Sequence, residues 1–318
     1  MAYYIAGEIL RLQRDALKMP REEFLDTDPV QTTTMTIYRI ERLGTAPTER
    51  TYRHMTGRMG TESSLRQGVL KTGEFSTLLC RNEISRALMQ RDFVQAEQLR
   101  VQMERQLDPS EPRNKQYLLW LETILQYVKG EIDAERYEKR VREALRITIP
   151  EFDRIPIADW PFRVQEWELL HHLNAAFRGQ KKYAEQLELL NGMLASLELG
   201  YMDSHSRALQ ETYVLGQMGD VLGNLGRHEE ALEVDERAIE LCRGEGKLAR
   251  LAAILYDKHW NLWMLGKSQS LTAEQQEAAV QSLLQACCLC EAIGKPADIY
   301  RKRLRERYPE AASLIGIH

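Results

Sequence analysis

The chain has 318 residues, 43% hydrophobic and 28% charged, with a formal net charge of −4. These values fit a folded chain of two domains or one long repeat array, and they exclude a disordered polyelectrolyte. No apolar run approaches the ~18 residues of a membrane span, and MAYYIAGEILRLQRD lacks the pattern of a secretory leader. A cytoplasmic protein with no membrane partner is therefore expected. The five cysteines (80, 242, 287, 288, 290) form no spaced framework and are expected to be free thiols.

Almost every segment repeats at helical spacing, alternating β-branched runs are missing, and Pro and Gly fall between the periodic segments. The class is all-α. GEILRLQRDAL (7–17) predicts an amphipathic helix. PREEFLD (20–26) predicts a second, with Pro20 at its start and acidic residues in its first turn. DTDPVQ is a turn, and TTTMTIYRIER (32–42) is a third helix. On it Ile37 and Ile40 face a core, while Thr33, Thr34, Thr36, Tyr38 and Arg39 project outward. Hydroxyls at such positions contact bases or phosphates, and arginine reads guanine with two bonds. Arg11, Arg14, Arg21 and Arg50 are candidate phosphate ligands. Residues 1–66 carry ten Lys and Arg against nine Asp and Glu, while the remainder is acidic. An acidic body confines phosphate contact to the N-terminal part. Residues 61–76 read as a connector.

Beyond it a repeat emerges. In YVLGQMGDVLGNLGRHEEALEVDERAIEL (213–241), Leu215, Gly219 and Leu222 share one helix face, Gly226 makes a turn, and Ala231 and Ala238 stand seven apart on a second helix. Small residues at 219 and 231 let two antiparallel helices approach closely. Phe93, Tyr137, Tyr183 and His228 occupy equivalent places at steps of 44, 46 and 45 residues. A weaker unit runs over 252–293, with an insertion at SQSLTAEQQ. ITIPEFDRIPIADWP (147–161) reads as an ordered loop, and ADIYRKRLRERYPEA as a charged capping helix. The apolar stretch 278–293 is the expected dimer face. Candidate groove residues on the first helices of the later repeats are His171, Asn174, Gln217, Asn224, Tyr256, Trp260 and Asn261. Amides among them can both donate to and accept from a peptide backbone.

The unit 213–241 resembles the tetratricopeptide repeat, with a longer step than its ~34 residues. Arg14, the Phe24–Leu25 pair, TIYRIER, Pro47 and Met59–Gly60 resemble the lambda-repressor-like helix-turn-helix family, whose third helix lies in the major groove. Glu41 matches a glutamate that, by this resemblance, pairs internally with an arginine. Two departures stand out: the stretch from Leu25 to Glu41 is slightly longer, and Leu43 stands where that family has glycine. Together the two parts resemble the peptide-pheromone-responsive regulators of Gram-positive bacteria, the Rgg/PlcR/PrgX/NprR group. The resemblance implies a DNA-binding domain over 1–66 and a right-handed tetratricopeptide-like α-solenoid over 67–318. It further implies a homodimer on palindromic double-stranded promoter DNA, switched by a short signalling peptide in the concave repeat surface. The alternative is a repeat-based protein-interaction module whose N-terminal part no longer binds DNA.

No enzyme is expected, and no cofactor or metal. Cysteines at 287, 288 and 290 on one helix cannot converge on one ion. His171 and His172 point to different faces, RGEGK lacks phosphate-loop spacing and reads as a helix end with a turn, and HEEAL is not a zinc motif. Trp260 and Trp263 are expected to face different ways.

Overall fold

The structure is a computed structural model. It describes residues 7, 10–11, 14–15, 18–25, 32–43, 45, 47–59, 70, 72, 75–160, 162, 164–198, 204–244, 246 and 248–314. The described residues are helices and turns with no strand, as the all-α reading expects. None of their helices is long and apolar enough to cross a membrane. The chain forms two compact units, Met1–Lys181 and Lys182–His318.

In the first unit, Gly7, Leu10, Arg11, Arg14 and Asp15 are helical. PREEFLD does not form a full helix: Arg21–Phe24 is a 3-10 turn capped by Pro20, which precedes it instead of opening it. Then come α1 (Thr34–Arg42) and α2 (Glu49–Arg58). Each starts on a threonine, Thr33 or Thr48, whose hydroxyl accepts the backbone N–H three residues on at 3.1 Å. Leu10, Phe24, Ile37, Ile40, Met55 and Met59 close one small core. Ile37 and Ile40 thus lie where the periodicity puts them. The turn DTDPVQ and most of the connector fall outside the described residues.

The same unit continues with α3 (Phe75–Met89), α4 (Phe93–Gln106), α5 (Pro112–Val128), α6 (Ala134–Thr148) and α7 (Val164–Gly179). Helices α3 and α4 pack as a hairpin, α5 and α6 as the next, and α7 lies on α6. Between α6 and α7 the three-proline segment is ordered as expected: Ile149, Phe152 and Phe162 are buried, and Asp153 bridges Arg142 and Arg146.

The second unit contains α8 (Tyr183–Leu197), α9 (Ser204–Asn224), α10 (His228–Gly244), α11 (Leu248–Ser268), α12 (Ala273–Ala292), α13 (Asp298–Arg307) and α14 (Pro309–Leu314). Helices α9 and α10 pair, as do α11 and α12, while α10 also packs on α11 and α8 on α9. Within the insertion SQSLTAEQQ, residues 269–272 make the turn and the rest belongs to α11 and α12, with a reciprocal Thr272–Gln275 cap opening α12.

The repeat step seen in the sequence has a local cause. The turns before α4, α6, α8, α10 and α13 each contain a residue with positive φ: Arg91 (59°), Gly130 (73°), Lys181 (59°), Gly226 (75°) and Gly294 (67°). Three of the five are glycine, the residue that adopts this region without steric cost. Gly226 has open space around the position of a Cβ, so a substitution there meets only the backbone penalty. Gly226→Ala is expected to lower stability by about 1–2 kcal/mol in denaturant unfolding, with no change in secondary structure; an unchanged midpoint would remove φ as the reason for glycine here.

The apolar side of α12 is spent inside its own unit. Leu283, Cys287 and Cys290 join Ala252, Ala297, Leu304 and Ala312 in one core, and Cys288 alone of the three neighbouring thiols is exposed. Of the apolar stretch 278–293, read as a dimer face, Leu283, Cys287 and Cys290 are therefore committed to this core, while Val280 and Ile293 stay partly exposed.

Candidate functional site

Helix α1 has one fixed side and one free side. On the fixed side Glu41 has no exposed side-chain surface. Arg14 grips it with Nε on Oε1 at 2.6 Å and Nη2 on Oε2 at 3.1 Å, and Arg14 Nη1 donates to the Met19 carbonyl at 2.9 Å. Arg21 Nε reaches Glu41 Oε2 at 2.8 Å, and its guanidinium lies 5.5 Å from the Tyr38 ring centroid. The internal glutamate–arginine pair implied by the helix-turn-helix resemblance is present. From α2, Arg58 donates twice to the Glu23 carbonyl, and His54 Nε2 donates to the Phe24 carbonyl at 2.8 Å. The 3-10 turn, α1 and α2 are therefore held as one block by charge-assisted bonds.

The pairing corrects one expectation. Arg14 is buried, with its guanidinium engaged by Glu41, Asp15 and a carbonyl, so it is a structural residue and not a phosphate ligand. Arg21 is half-buried and shares Glu41, while Arg11 lies 3.7 Å from Asp15. On the outer side Thr33, Tyr38 and Arg39 are exposed and Thr34 and Thr36 half-exposed, while Arg50 is exposed at the start of α2. Thr33 and Thr36 also bond each other at 3.0 Å, which orients both hydroxyls at the start of α1. Leu43, at the family's glycine position, has φ −103° and so needs no glycine.

The candidate groove residues separate by environment. His171 is half-buried beside Trp167. Its neighbour His172 points elsewhere: Nδ1 and the Tyr137 hydroxyl share a hydrogen bond of 2.6 Å, and burial pushes the imidazole pKa down to about 4. Asn174 is buried in the first unit. In the second unit Gln217 and Asn224 both lie on α9, Gln217 half-buried and Asn224 exposed, with Asn224 Nδ2 donating to the Asp220 carbonyl.

Tyr256, Trp260 and Asn261 are not open groove residues. Tyr256 packs on Tyr300, and Trp260 lies under the Arg307 guanidinium, both partners belonging to α13. Trp263 meets the same guanidinium at 4.3 Å. The expectation that the two tryptophans face different ways fails because residues three apart on a helix are surface neighbours. Arg307 also donates to His259 Nε2 at 2.8 Å, while His259 Nδ1 donates to the Ala279 carbonyl. Burial holds that imidazole neutral, with its pKa lowered to about 4.

Asn261 turns inward. Its Nδ2 donates to Asp235 Oδ2 at 3.1 Å, and its Oδ1 accepts from His228 Nδ1 at 3.1 Å. Asp235 is fully buried against Gly219, where a Cβ would stand 1.9 Å from Oδ1. Burial first, then the nearby Glu236 and Asp220 charges, raise the Asp235 carboxyl to about 7 against the opposing pull of Asn261 and Lys258. The small residue read as a helix-packing device is thus the seat of a buried carboxylate. Sequence reading also missed Arg250 on α11, 3.5 Å above the Tyr213 ring of α9. The signal for it was a cation in the first turn of α11, just before the apolar run 251–255. Among the described residues no group of acidic, histidine and cysteine side chains is placed to hold a metal ion.

No family model matches the chain, and no curated protein matches it. Solved structures do. PlcR of Bacillus thuringiensis, solved in complex with the peptide PapR7 and DNA, matches with a TM-score of 0.59 at 14% identity, over 94% of this chain and 98% of that one. The apo form of the same protein gives 0.58 at 13%, over 94% and 99%. ComR of S. thermophilus, solved with DNA and its signalling peptide ComS, gives 0.51 at 13%, over 96% and 99%. At such identity the likeness is one of fold, and it runs nearly the whole length of each chain: this protein has the all-α architecture of PlcR and ComR.

Proposed function

We propose that this protein is a transcription regulator that reads double-stranded promoter DNA with α1 and is switched by a short signalling peptide. The observation that carries the reading is the two-sided build of α1. Its inner side is pinned by Ile37, Ile40 and the Glu41 ion pairs, and its outer side presents Thr33, Thr36, Tyr38 and Arg39. The fold shared with PlcR and ComR, solved with DNA and with peptides, supports both partners.

In this reading residues 1–66 form the DNA-binding domain, and residues 67–318 bind the peptide and hold a homodimer together. Two reader helices at fixed separation match two half-sites, and the peptide acts by binding one shape of the dimer better than the other. Arg39, Tyr38 and the threonines face the bases, while Arg11, Arg21 and Arg50 serve the phosphates. His171, Gln217 and Asn224 remain as peptide contacts.

The test is binding of the full chain to duplex DNA from its own upstream region across a salt series, beside Arg39→Ala. A steep fall in affinity with salt is expected, because bound cations release counterions. Loss of a base contact by Arg39→Ala is expected to weaken specific binding about tenfold or more. Equal affinity of the two proteins would remove α1 from the interface.

A further inference from the structure

A pocket of about 450 Å³ opens at one edge of the second unit, where the first half of α9, the start of α11 and the turn after α12 meet. That volume is in the range of small-molecule sites, about 300–1,000 Å³. Its walls are largely apolar, from Leu209, Leu248, Ile293 and the face of Tyr213, and its cations are Arg250 and Lys295. Among the described residues no acidic side chain lines it.

Its charge pattern contrasts with that of a pocket on the first unit. A pocket of similar size on the first unit is lined by Asp133, Glu135 and Glu143 together with Arg136, Lys139 and Arg140, so its charges compensate internally. At the α9–α11 pocket the neighbouring acid of α9, Glu211, is engaged by Arg237 of α10. Arg250 stacks on Tyr213, a contact that fixes the guanidinium plane and leaves its edge N–H groups for another acceptor. The carbonyls at the end of α12 are already used: Gly294 N–H donates to Glu291 and Lys295 N–H to Cys290. The opening of α11 adds the positive end of a helix dipole. A largely apolar chamber whose charged lining, among the described residues, is Arg250 and Lys295 suits an apolar anion.

We propose that this pocket binds an apolar carboxylate, with the apolar body between Leu209, Leu248 and Ile293 and the carboxylate on Arg250 and Lys295. The proposal stands on this geometry and does not rest on the regulator reading. Two sources share the chemistry: the C-terminal residue of a peptide, and a free small carboxylic acid.

The experiment is calorimetric titration of the full chain with N-acetyl-L-leucine and with N-acetyl-L-leucinamide, which differ only in the charge. The acid is expected to bind at least about tenfold tighter than the amide, the worth of one charge-assisted bond. Arg250→Gln is expected to abolish that preference, and Lys295→Gln, at an exposed position, to reduce it. Arg154→Gln, on the surface of the first unit, is expected to leave it unchanged. A Leu-terminated hexapeptide with a free or amidated end separates the sources. Tighter binding of the free-ended hexapeptide than of N-acetyl-leucine assigns the pocket to a peptide terminus, and weaker binding assigns it to a free acid. Equal binding of acid and amide, no binding of either at millimolar concentration, or a preference that survives both Arg250→Gln and Lys295→Gln would overturn the proposal. Should Arg250→Gln misfold, the Lys295→Gln titration alone decides.

Discussion

Glu41→Gln is expected to unfold the N-terminal block while leaving the repeats folded. Glu41 is fully enclosed, and two arginines from different segments converge on it, Arg14 at 2.6 Å and Arg21 at 2.8 Å. Replacing a buried, paired carboxylate by a neutral amide leaves the buried Arg14 with only the exposed Asp15 carboxylate as counter-charge. Breaking a buried pair from one side costs about 3–5 kcal/mol. The core of the block is small, built on Leu10, Phe24, Ile37, Ile40, Met55 and Met59, so a loss of that size is comparable with what such a core supplies. Hydrogen exchange of the full chain reads the result by region. Amides of 34–58 should lose protection, while those of α9 to α12 keep it. Retained protection at 34–58 would show that packing of Ile37 and Ile40 suffices and that the ion pairs are incidental.

Asp235→Asn is expected to stabilise the second unit in a pH-dependent way. The Asp235 carboxyl titrates near pH 7 when folded because burial opposes its charge. An unfolded aspartate titrates near 3.9. Below pH 4 both states hold the proton. Between about pH 4 and 7 the unfolded chain releases it while the folded chain retains it, so Asp235 makes the wild type less stable as pH rises. Above 7 both states are ionised and the loss is complete. At ~1.4 kcal/mol per unit, about 4 kcal/mol is the upper bound. Asparagine keeps the acceptor for Asn261 Nδ2 and carries no charge. The stability difference between variant and wild type should therefore be small at pH 4, widen to pH 7 and then level off. His172 and His259, both held below their ordinary values by burial, have the opposite sign: their contributions are lost as pH falls from about 6.5 through 4. They are common to both proteins and cancel in the difference. A difference that does not vary with pH would mean that Asp235 is ionised throughout.

Much of the fold was legible because it is local. Gly226 stands at the turn where the sequence places it, with φ of 75°. Ile37 and Ile40 follow from a 3.6-residue period and the Phe–Leu pair before them. What the sequence hid depends on partners far along the chain. Arg14 looked like its exposed neighbours until Glu41, 27 residues on, turned it inward. Asn261 faces the interior because Asp235 and His228, on another helix, meet it there. Tyr256 and Trp260 stand among the candidate groove residues, but α13 folds back over them through Tyr300 and Arg307. Arg250 and Lys295 reach one pocket only because the turn after α12 returns to the start of α11. None of these long-range encounters leaves a periodic trace.

Selection by the 318-residue chain from a pool of random duplexes reads DNA recognition most directly. Enrichment of one sequence family with two inverted half-sites, centred about one helical turn or a multiple of it apart, is expected, and its loss with Arg39→Ala. A folded protein, protected over 34–58 in hydrogen exchange, that enriches no sequence would contradict DNA recognition and would leave the repeats to work as a protein-interaction module.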